Sequence, residues 1–443
     1  MNDITYDFAG IGLGPFNLSL ACLAAPVTGL NAVFLDKSKG FDWHPGMMLQ
    51  DVTLQTPFLS DLVTLADPTS PFTFLNYIKE QGRIYSFYIR QNFFLLRKEY
   101  NQYCQWAAER LPSLRFNTEV QNIEYDPAGQ CYLIQARDTL RETPVTYRVK
   151  KLVLGTGPVP YKPECCRGLS GLSLHSSDYL KFKESLQKKR SITVLGSGQS
   201  AAEIFYDLLT EVDIHNYELS WITRSPRFFP LEYTKLTLEM TSPEYVDYFY
   251  GLPEEKRKQL NARQKNLFKG INSELINAIF DLIYTKRLSG EFRINLLTNS
   301  ELKIAERNAG EDSFDLHFWQ HEQDEYFHHS TEGLVLATRY AYRTPSYLNG
   351  IHSRIRWDQQ GRFDVHRNYA IDHADNEIFV QNAEYHTHGF VTPDLGMACY
   401  RNSIILRELT GREHYPVEKK IAFQEFSAHP AGILSPEPEL TRP

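Results

Sequence analysis

The sequence predicts an α/β protein with two Rossmann-like dinucleotide-binding units and a small helical region. The segment ITYDFAGIGLGPFNLSLACLAAP, followed by LNAVFLDKS, has the order strand, glycine-rich turn, helix, strand. The segment RSITVLGSGQSAAEIFYDLLTEVDIHNYELSWITRS repeats this order much later in the chain. One glycine-rich turn is a weak signal, but two copies in the same context favour two dinucleotide sites.

The composition restricts the possible functions. The chain has 443 residues, six cysteines and a formal net charge of −7, which favours two or three domains and disfavours a nucleic-acid binder. Its apolar runs are shorter than the ~20 residues of a membrane span, and the N-terminus has no signal-peptide pattern. The only close cysteine pair, Cys165 and Cys166, is vicinal, so we expect free thiols in a reducing compartment. These observations predict a soluble cytoplasmic protein.

The first glycine-rich turn is predicted to bind FAD. Its candidate residues are Gly10, Gly12, Gly14, Pro15, Asp36 and Lys37. Glycine is needed where φ is positive or where the backbone approaches a pyrophosphate at a helix N-terminus, and proline is tolerated in the first helical turn. Asp36 ends the second strand, where a carboxylate accepts hydrogen bonds from ribose hydroxyls and repels a 2′-phosphate. The alternative is that Asp36 is an ordinary loop acid.

The second turn is predicted to bind NADPH. Its candidate residues are Gly196, Gly198, Gln199, Ser200 and Arg224. Arg224 ends the second strand of this unit, where a guanidinium attracts the 2′-phosphate, although it could be a plain surface base. Disulfide reductases with two dinucleotides need a redox-active cysteine pair, and no cysteine pair here has that spacing. Dioxygen is therefore the favoured electron acceptor, which indicates a monooxygenase.

Three longer motifs carry a family resemblance. They are DFAGIGLGPFNLSLA, FDWHPGMMLQDVTLQTPFLSDLVTLADPTSPFTFLNYI and HTHGFVTPDLG. The chain resembles, along nearly its whole length, the N-hydroxylating flavin monooxygenases of microbial siderophore biosynthesis: the lysine and ornithine N-monooxygenases and their diamine-acting relatives. One departure is ATRY, where the family more often has A-T-G-Y, so that Arg339 stands in place of glycine.

The resemblance implies the chemistry. NADPH would reduce FAD, O2 would add to the reduced flavin to give a C4a-hydroperoxide, and NADP+ would stay bound. A primary amine would then attack the distal oxygen, giving a hydroxylamine and water. Because an alkylammonium, with its pKa of ~10.4, has no lone pair, the site must hold the amine neutral. The resemblance also implies a homo-oligomer, commonly a tetramer.

Further cofactor contacts follow from the resemblance. Trp43 and His44 are expected to shape the isoalloxazine pocket, and Gln55 to make a polar contact near the reactive edge of the flavin. Core packing and an ordinary loop glutamine are the alternatives. His388 is expected against the flavin; we predict no metal site, because an H-x-H pair without a third ligand is more often structural. Asn272 is assigned to the reacting amine or NADP, with a helix N-cap as the alternative.

The predicted substrate contacts are Ser60, Leu238, Gly396 and Asn272. In the amino-acid hydroxylases of the family, the block FLSDL reads F-L-K-D-L, and that lysine pairs with the substrate carboxylate; here Ser60 takes its place. Because a buried carboxylate without a cation is costly, we expect a diamine substrate, cadaverine or putrescine. The alternatives are an L-lysine or L-ornithine N-monooxygenase in which Lys235 or Lys269 rescues binding, a flavin-dependent NADPH oxidase or reductase, and, more distantly, a non-catalytic nucleotide-binding module.

We expect five structured segments and a tail. Residues 1–186 and 333–427 are assigned to the FAD-binding domain, 187–235 and 290–332 to the NADPH-binding domain, and 236–289 to the helical substrate region. The proline-rich segment 428–443 is expected to be disordered.

Overall fold

The structure is a computed structural model that describes residues 4–308, 310–374, 376–418 and 420–428. Its strands are β1 Thr5–Ile11, β2 Ala32–Leu35, β3 Thr53–Pro57, β4 Phe94–Leu96, β5 Leu114–Arg115, β6 Thr118–Asp126, β7 Cys131–Asp138, β8 Thr143–Leu154, β9 Val159–Pro160, β10 Ser173–His175, β11 Ser191–Leu195, β12 Glu218–Ile222, β13 Ile294–Leu297, β14 Ser300–Asn308, β15 Ser313–Gln320, β16 Glu325–Thr331, β17 Gly333–Leu336, β18 Tyr340–Ala341 and β19 Ile378–Val380. Its helices are α1 Pro15–Ala24, α2 Phe74–Glu80, α3 Ile84–Arg90, α4 Arg97–Ala108, α5 Tyr179–Leu186, α6 Gln199–Thr210, α7 Val212–His215, α8 Lys235–Leu238, α9 Pro243–Gly251, α10 Glu254–Arg263, α11 Asn266–Lys269, α12 Ser273–Ser289, α13 Tyr385–His388 and α14 Ala398–Thr410. The predicted α/β fold class is confirmed.

The first sheet carries the N-terminal glycine-rich turn. Within the described residues its strand order is β5-β2-β1-β8-β7-β6, and β19 also pairs with β8. Strands β1, β2, β5, β8 and β19 pair in parallel, whereas β6, β7 and β8 form an antiparallel meander. Helices α1, α4 and α14 contribute to one apolar cluster against this sheet. The turn after β1 therefore lies at the carboxyl ends of parallel strands, which is where open α/β sheets bind ligands.

The second sheet carries the other glycine-rich turn. Its order is β10-β17-β11-β12-β13, with all pairs parallel, and an antiparallel sheet of β14, β15 and β16 lies beside it in sequence. Two of its strands, β10 and β17, lie outside the residue ranges predicted for the NADPH-binding domain. Local sequence does not show this, because parallel pairing joins strands that are far apart along the chain. The predicted domain boundaries remain a prediction.

The segment predicted to be helical, from about 235 to 290, contains α8 to α12. The longest of these, α12, has Asn272 as its N-cap, Glu274 in its first turn, and Lys286 and Arg287 in its last. A capping amide and this order of charges both favour a helix. The apolar side chain of Ile279 packs in the same cluster as α6, which places α12 against the second turn.

The end of the described chain covers this helical segment. Backbone N–H groups of Phe423 and Gln424 donate to Glu239, and those of Ile421 and Ala422 donate to Glu244. Apart from residue 428, the segment 428–443 predicted to be disordered lies outside the described residues. In the part of the chain that the structure describes, none of the helices has the length and apolarity that a membrane crossing requires.

Candidate active site

The first turn has the backbone geometry that a pyrophosphate needs. Gly12 has a φ of +87°, and a Cβ there would lie 2.6 Å from the carbonyl oxygen of Gly155. A Cβ on Gly10 would overlap the ring of Phe34, whereas one on Gly14 would meet nothing within 4 Å. Glycine is therefore required by the protein itself at the first two positions, and the space beside Gly14, the N-cap of α1, is open to a ligand.

Asp36 lies next to this turn and holds it in place. Its Oδ2 accepts a hydrogen bond from the backbone N–H of Leu13 at 2.7 Å, and its Oδ1 accepts from the N–H of Ser38 at 2.7 Å. Each carboxylate oxygen has more than one lone pair, so Asp36 can also accept from ribose hydroxyls. The neighbouring Lys37 is exposed.

A phenol near Asp36 supports a ligand at this place. The hydroxyl of Tyr347 is buried and has no hydrogen-bond partner among the described residues. Burial raises the pKa of Tyr347, and the charges of Tyr342 and Asp36 raise it further. A buried polar atom without a partner is costly, and a ribose or adenine group would satisfy it. The residues present therefore fit the FAD that the turn predicts.

The backbone of the second turn also requires glycine. Gly196 has a φ of +145°, and a Cβ there would overlap the carbonyl oxygen of Ala337. The indole of Trp221 donates to the carbonyl of Gly196 at 2.7 Å, which holds the turn against β12. Gly198 is the N-cap of α6, and Ser200 lies in the first turn of that helix.

Positive side chains gather around the second turn. Arg224 is exposed just beyond β12, and a Cβ on Gly198 would lie 3.7 Å from the carbonyl oxygen of Lys269. Desolvation lowers the pKa of Lys269, and the charges of Lys265, Arg339 and Arg224 lower it further. Like charges brought together in this way favour the binding of an anion such as a nucleotide phosphate.

Arg339 has a backbone conformation that favours glycine. Its φ is +88°, a region that favours glycine. Its carbonyl oxygen accepts hydrogen bonds from the N–H of Tyr161 and from Nε2 of His175, both at 3.1 Å. Its guanidinium carbon lies 4.4 Å from the ring centroid of Tyr161. The segment around Arg339 therefore has a backbone conformation typical of glycine, and the guanidinium adds a positive charge to it.

A polar network extends from Gln199, beside the second turn; we call it the Gln199 network, and its members are Arg97, Glu203, Gln199, Gln55 and Asn272. Arg97 forms two hydrogen bonds with Glu203, at 3.0 and 2.9 Å. The amide nitrogen of Gln199 donates to Glu203 at 3.0 Å. The amide oxygen of Gln199 accepts from the backbone N–H of Asn272 at 2.8 Å and from the side chain of Gln55 at 3.3 Å.

The network brings together three predicted site residues and two that sequence reasoning missed. Gln55, Gln199 and Asn272 were predicted separately, and the structure places them side by side. Arg97 and Glu203 were not predicted. One signal was available for Glu203, since an acidic residue on the apolar face of a predicted helix requires a buried partner.

The side chain of Asn272 caps a helix, which is the alternative interpretation given for it above. Its Oδ1 accepts hydrogen bonds from the backbone N–H groups of Glu274 at 2.8 Å and Leu275 at 3.2 Å, so it is the N-cap of α12. The cap uses only the oxygen of the amide. A role of Asn272 toward the amine or NADP stays a prediction.

Aromatic rings surround the segment predicted to shape the isoalloxazine pocket. The ring centroid of Trp43 lies 4.8 Å from that of His44 and 5.5 Å from that of Tyr100. His44 has a left-handed φ of 53°. Desolvation and the charge of Arg97 lower the pKa of His44 to about 4, so its imidazole is neutral near pH 7.

The two histidines of the His-Thr-His motif bind protein groups. Nε2 of His386 lies 2.8 Å from the carbonyl oxygen of Phe363. His388 is buried, its Nδ1 lies 2.9 Å from Oγ1 of Thr387, and its ring stacks on Tyr369 at 4.5 Å. Burial holds the pKa of His388 well below its usual range. Among the described residues, no group of three or more His, Cys, Asp or Glu side chains is placed to hold a metal ion.

Two of the predicted substrate residues lie next to each other. Ser60 is buried, and a Cβ on Gly396 would lie 3.2 Å from its Oγ and 3.2 Å from Oδ1 of Asp394. Asp394 was not predicted, although it stands in the HTHGFVTPDLG motif. Leu238, the third predicted contact, ends α8 and is partly buried.

The chain matches one protein family and several characterised relatives. Residues 4–342 match the family described as L-lysine 6-monooxygenase/L-ornithine 5-monooxygenase. The crystal structure of DfoA bound to FAD, the cadaverine monooxygenase of the desferrioxamine pathway from Erwinia amylovora, is similar with a TM-score of 0.95 and 62% identity, covering 96% of this chain and 99% of that one. The putrescine N-hydroxylase of Shewanella oneidensis is 52% identical over 95% of this chain and 84% of its own length. The ornithine N-hydroxylase KtzI of Kutzneria sp. 744, solved with reduced FAD, NADP+ and L-ornithine, has a TM-score of 0.84 and 26% identity, covering 92% of this chain and 99% of that one.

Proposed function

Because the chain belongs to the family of L-lysine 6-monooxygenases and L-ornithine 5-monooxygenases, we propose that it N-hydroxylates one primary amine of an aliphatic diamine, cadaverine or putrescine. The balanced reaction converts the amine, O2, NADPH and a proton into the hydroxylamine, water and NADP+. The product would enter hydroxamate siderophore biosynthesis, of which this is the first step. The family resemblance drawn from the sequence motifs is confirmed by the match.

The cofactors are FAD and NADPH, and they supply the reduction and activation of dioxygen when bound. Gly10, Gly12 and Gly14 would admit the pyrophosphate of FAD, with Asp36 at its ribose. Gly196, Gly198 and Ser200 would do the same for NADPH, with Arg224 at the 2′-phosphate. The Gln199 network lies beside the second turn, where its amides would position the reacting groups.

The observation that carries the diamine assignment is Ser60 beside Gly396. In the amino-acid hydroxylases that the chain resembles, a lysine in the position of Ser60 neutralises the substrate carboxylate. Here Ser60 and Gly396 lie side by side, and neither a hydroxyl nor a glycine can neutralise a buried carboxylate. A diamine needs no such cation, which agrees with the named activities of the two relatives that are 62% and 52% identical.

The protein must also hold the reacting amine without its proton. A free alkylammonium has a pKa of ~10.4, and transfer into a site with little water lowers it. Ser60 and His388 are buried, and desolvation lowers the pKa of His388 and His44, so these histidines bring no positive charge near pH 7.

The test compares putrescine, cadaverine, L-ornithine and L-lysine under identical conditions with FAD, NADPH and air. We expect hydroxylamine from the diamines, with NADPH consumption that rises on amine addition and matches the product formed. Product mainly from an amino acid would contradict the substrate assignment and leave the cofactor assignment in place. NADPH consumption without hydroxylamine from any amine would instead indicate an oxidase or reductase.

The cytoplasmic location and the homo-oligomeric, tetrameric assembly stay predictions. The six cysteines are free in the structure, which supports a reducing compartment. Light scattering on the purified chain measures the assembly directly, and a monomer would overturn that part of the proposal.

A further inference from the structure

Asp394 places a carboxylate in the region predicted to bind the substrate. It precedes a short 3-10 helix, Leu395–Met397, and its Oδ1 accepts a hydrogen bond from the backbone N–H of Gly396 at 2.8 Å. A Cβ on Gly396 would lie 3.2 Å from both this Oδ1 and the Oγ of Ser60. The missing side chain of Gly396 thus lets a carboxylate and a hydroxyl approach the same point closely.

Asp394 has hydrogen-bonding capacity that the protein does not use. Among the described residues, no Lys, Arg or His nitrogen lies within 4.0 Å of its carboxylate, and the N–H of Gly396 is its one hydrogen-bond donor. Its Oδ2 therefore has no protein partner in that part of the chain. Burial raises the pKa of Asp394, while the Gly396 N–H and the charge of Arg401 lower it. Asp394 is partly buried, and a cation bound at Oδ2 would neutralise its charge.

Three other acidic side chains, Asp61, Glu239 and Glu384, are already occupied. Asp61, next to Ser60, accepts at Oδ1 from the N–H groups of Val63 and Thr64 and at Oδ2 from the N–H of Phe74. Glu239, next to Leu238, accepts from the backbone of residues 423 and 424. Glu384 is buried against Arg401, with Oε1 and Nη1 3.0 Å apart.

We propose that Asp394 binds the ammonium group at the non-reacting end of the diamine, with Ser60 as a second acceptor. This inference rests on the proposed function and adds the residue that recognises the second amine. The ammonium would donate to Oδ2 of Asp394 and Oγ of Ser60, while the other end of the chain carries the neutral amine to be hydroxylated. The same carboxylate repels the carboxylate of L-lysine or L-ornithine, so one residue selects for the diamine and against the amino acid.

The substitution Asp394→Asn tests the charge without removing the helix cap. Asparagine caps helices as well as aspartate does, so the bond from the Gly396 N–H is kept while the negative charge is lost. We expect kcat/KM for putrescine and cadaverine to fall about 10- to 100-fold, mainly through KM. Flavin content and the rate of flavin reduction by NADPH should stay as in the wild type.

Monoamine substrates show whether Asp394→Asn impairs recognition of the second ammonium or impairs catalysis in general. Butylamine and pentylamine lack the distal amine, so Asp394→Asn should leave their kcat/KM, or their Ki as competitive inhibitors, within about twofold of the wild type. The matched control is Glu239→Gln, which should preserve the preference for the diamine. Equal losses for diamines and monoamines, or no loss for either, would overturn the inference. Wild-type enzyme that forms no hydroxylamine from diamines would instead refute the proposed function.

Discussion

At the scale of single residues, the surroundings of each glycine show whether the fold itself excludes a side chain at that position or whether only a bound ligand would. Gly12 combines a positive φ with a backbone oxygen 2.6 Å from the position of a Cβ, so the fold alone forbids a side chain there. Gly14 has an extended backbone with φ of −85° and open surroundings. We therefore propose that glycine at that position serves the approach of a cofactor, since packing of the chain does not require it.

We predict that Gly12→Ala lowers the free energy of unfolding by about 2 kcal/mol or more, because alanine disfavours this φ and its Cβ meets Gly155. The purified variant should also carry less FAD, measured by the ratio of flavin to protein absorbance. Gly251→Ala, at the end of α9 with nothing within 4 Å of its Cβ, is the control. A Gly12→Ala protein with wild-type stability and full flavin content would contradict this account.

The cations around the second turn predict the choice of nicotinamide cofactor. Replacing Arg224 by glutamine should raise KM for NADPH about tenfold or more, because a charge-assisted contact with the 2′-phosphate is lost. KM for NADH, which has no 2′-phosphate, should change little. Arg227→Gln is the matched control, since the guanidinium carbon of Arg227 lies 4.8 Å from the ring of Phe229. An equal rise in KM for NADPH and for NADH would show that Arg224 does not recognise the 2′-phosphate.

At the scale of secondary-structure elements, the Gln199 network fixes how three segments meet. Arg97 begins α4, Glu203 lies on α6, and Asn272 caps α12. Arg97 also donates to the carbonyl of Met47 at 2.7 Å, close to the aromatic segment at Trp43. The side chains of Arg97 and Glu203 are 13% and 1% exposed, so this ion pair is largely removed from water.

Arg97→Met is expected to destabilise the protein by about 3 kcal/mol or more, because it leaves the buried carboxylate of Glu203 without its partner. Chemical denaturation measures this loss. The control is Arg190→Met, whose partner is Glu332 and whose side chain is 87% exposed; its loss should stay below about 1 kcal/mol. If the two variants lose similar amounts of unfolding free energy, burial of the ion pair between Arg97 and Glu203 does not increase its contribution to stability.

At the scale of the whole molecule, buried histidines make stability depend on pH. Burial lowers the pKa of His175 and of His388 below the ordinary value, so the folded state keeps them neutral while the unfolded state takes up protons. This contribution to stability is fully present above the unfolded pKa of about 6.5 and is lost as the pH falls below it.

We therefore expect the free energy of unfolding to fall between pH 7.5 and 5.5, a window above the ordinary range of carboxyl groups. His175→Gln should make that fall smaller, because one of the histidines whose pKa burial lowers no longer titrates. Denaturation of both proteins across the window checks the slope rather than the absolute stability. Equal slopes in the wild type and the variant would show that His175 contributes nothing to the pH dependence.

Local pattern was sufficient for part of the fold and part of the site. Gly10, Gly12, Asp36 and Gly196 could be placed because strand–turn–helix order is written in neighbouring residues. The helical segment from 235 to 290 was predicted on the same ground. The boundaries of the second sheet could not be predicted from local pattern, since β10 and β17 join it by pairing between distant strands.

The sequence by itself determined the two glycine-rich turns, the acid after one and the arginine after the other, and the family motifs that indicate N-hydroxylation. Only the tertiary structure decided which of these residues meet. Gln55 reaches Gln199 across 144 positions and Gln199 reaches Asn272 across 73. Ser60 and Asp394 approach each other closely because Gly396, which lies between them, has no side chain. Contacts of this kind depend on how packed elements approach one another, and the periodicity of a single element carries no information about its neighbours.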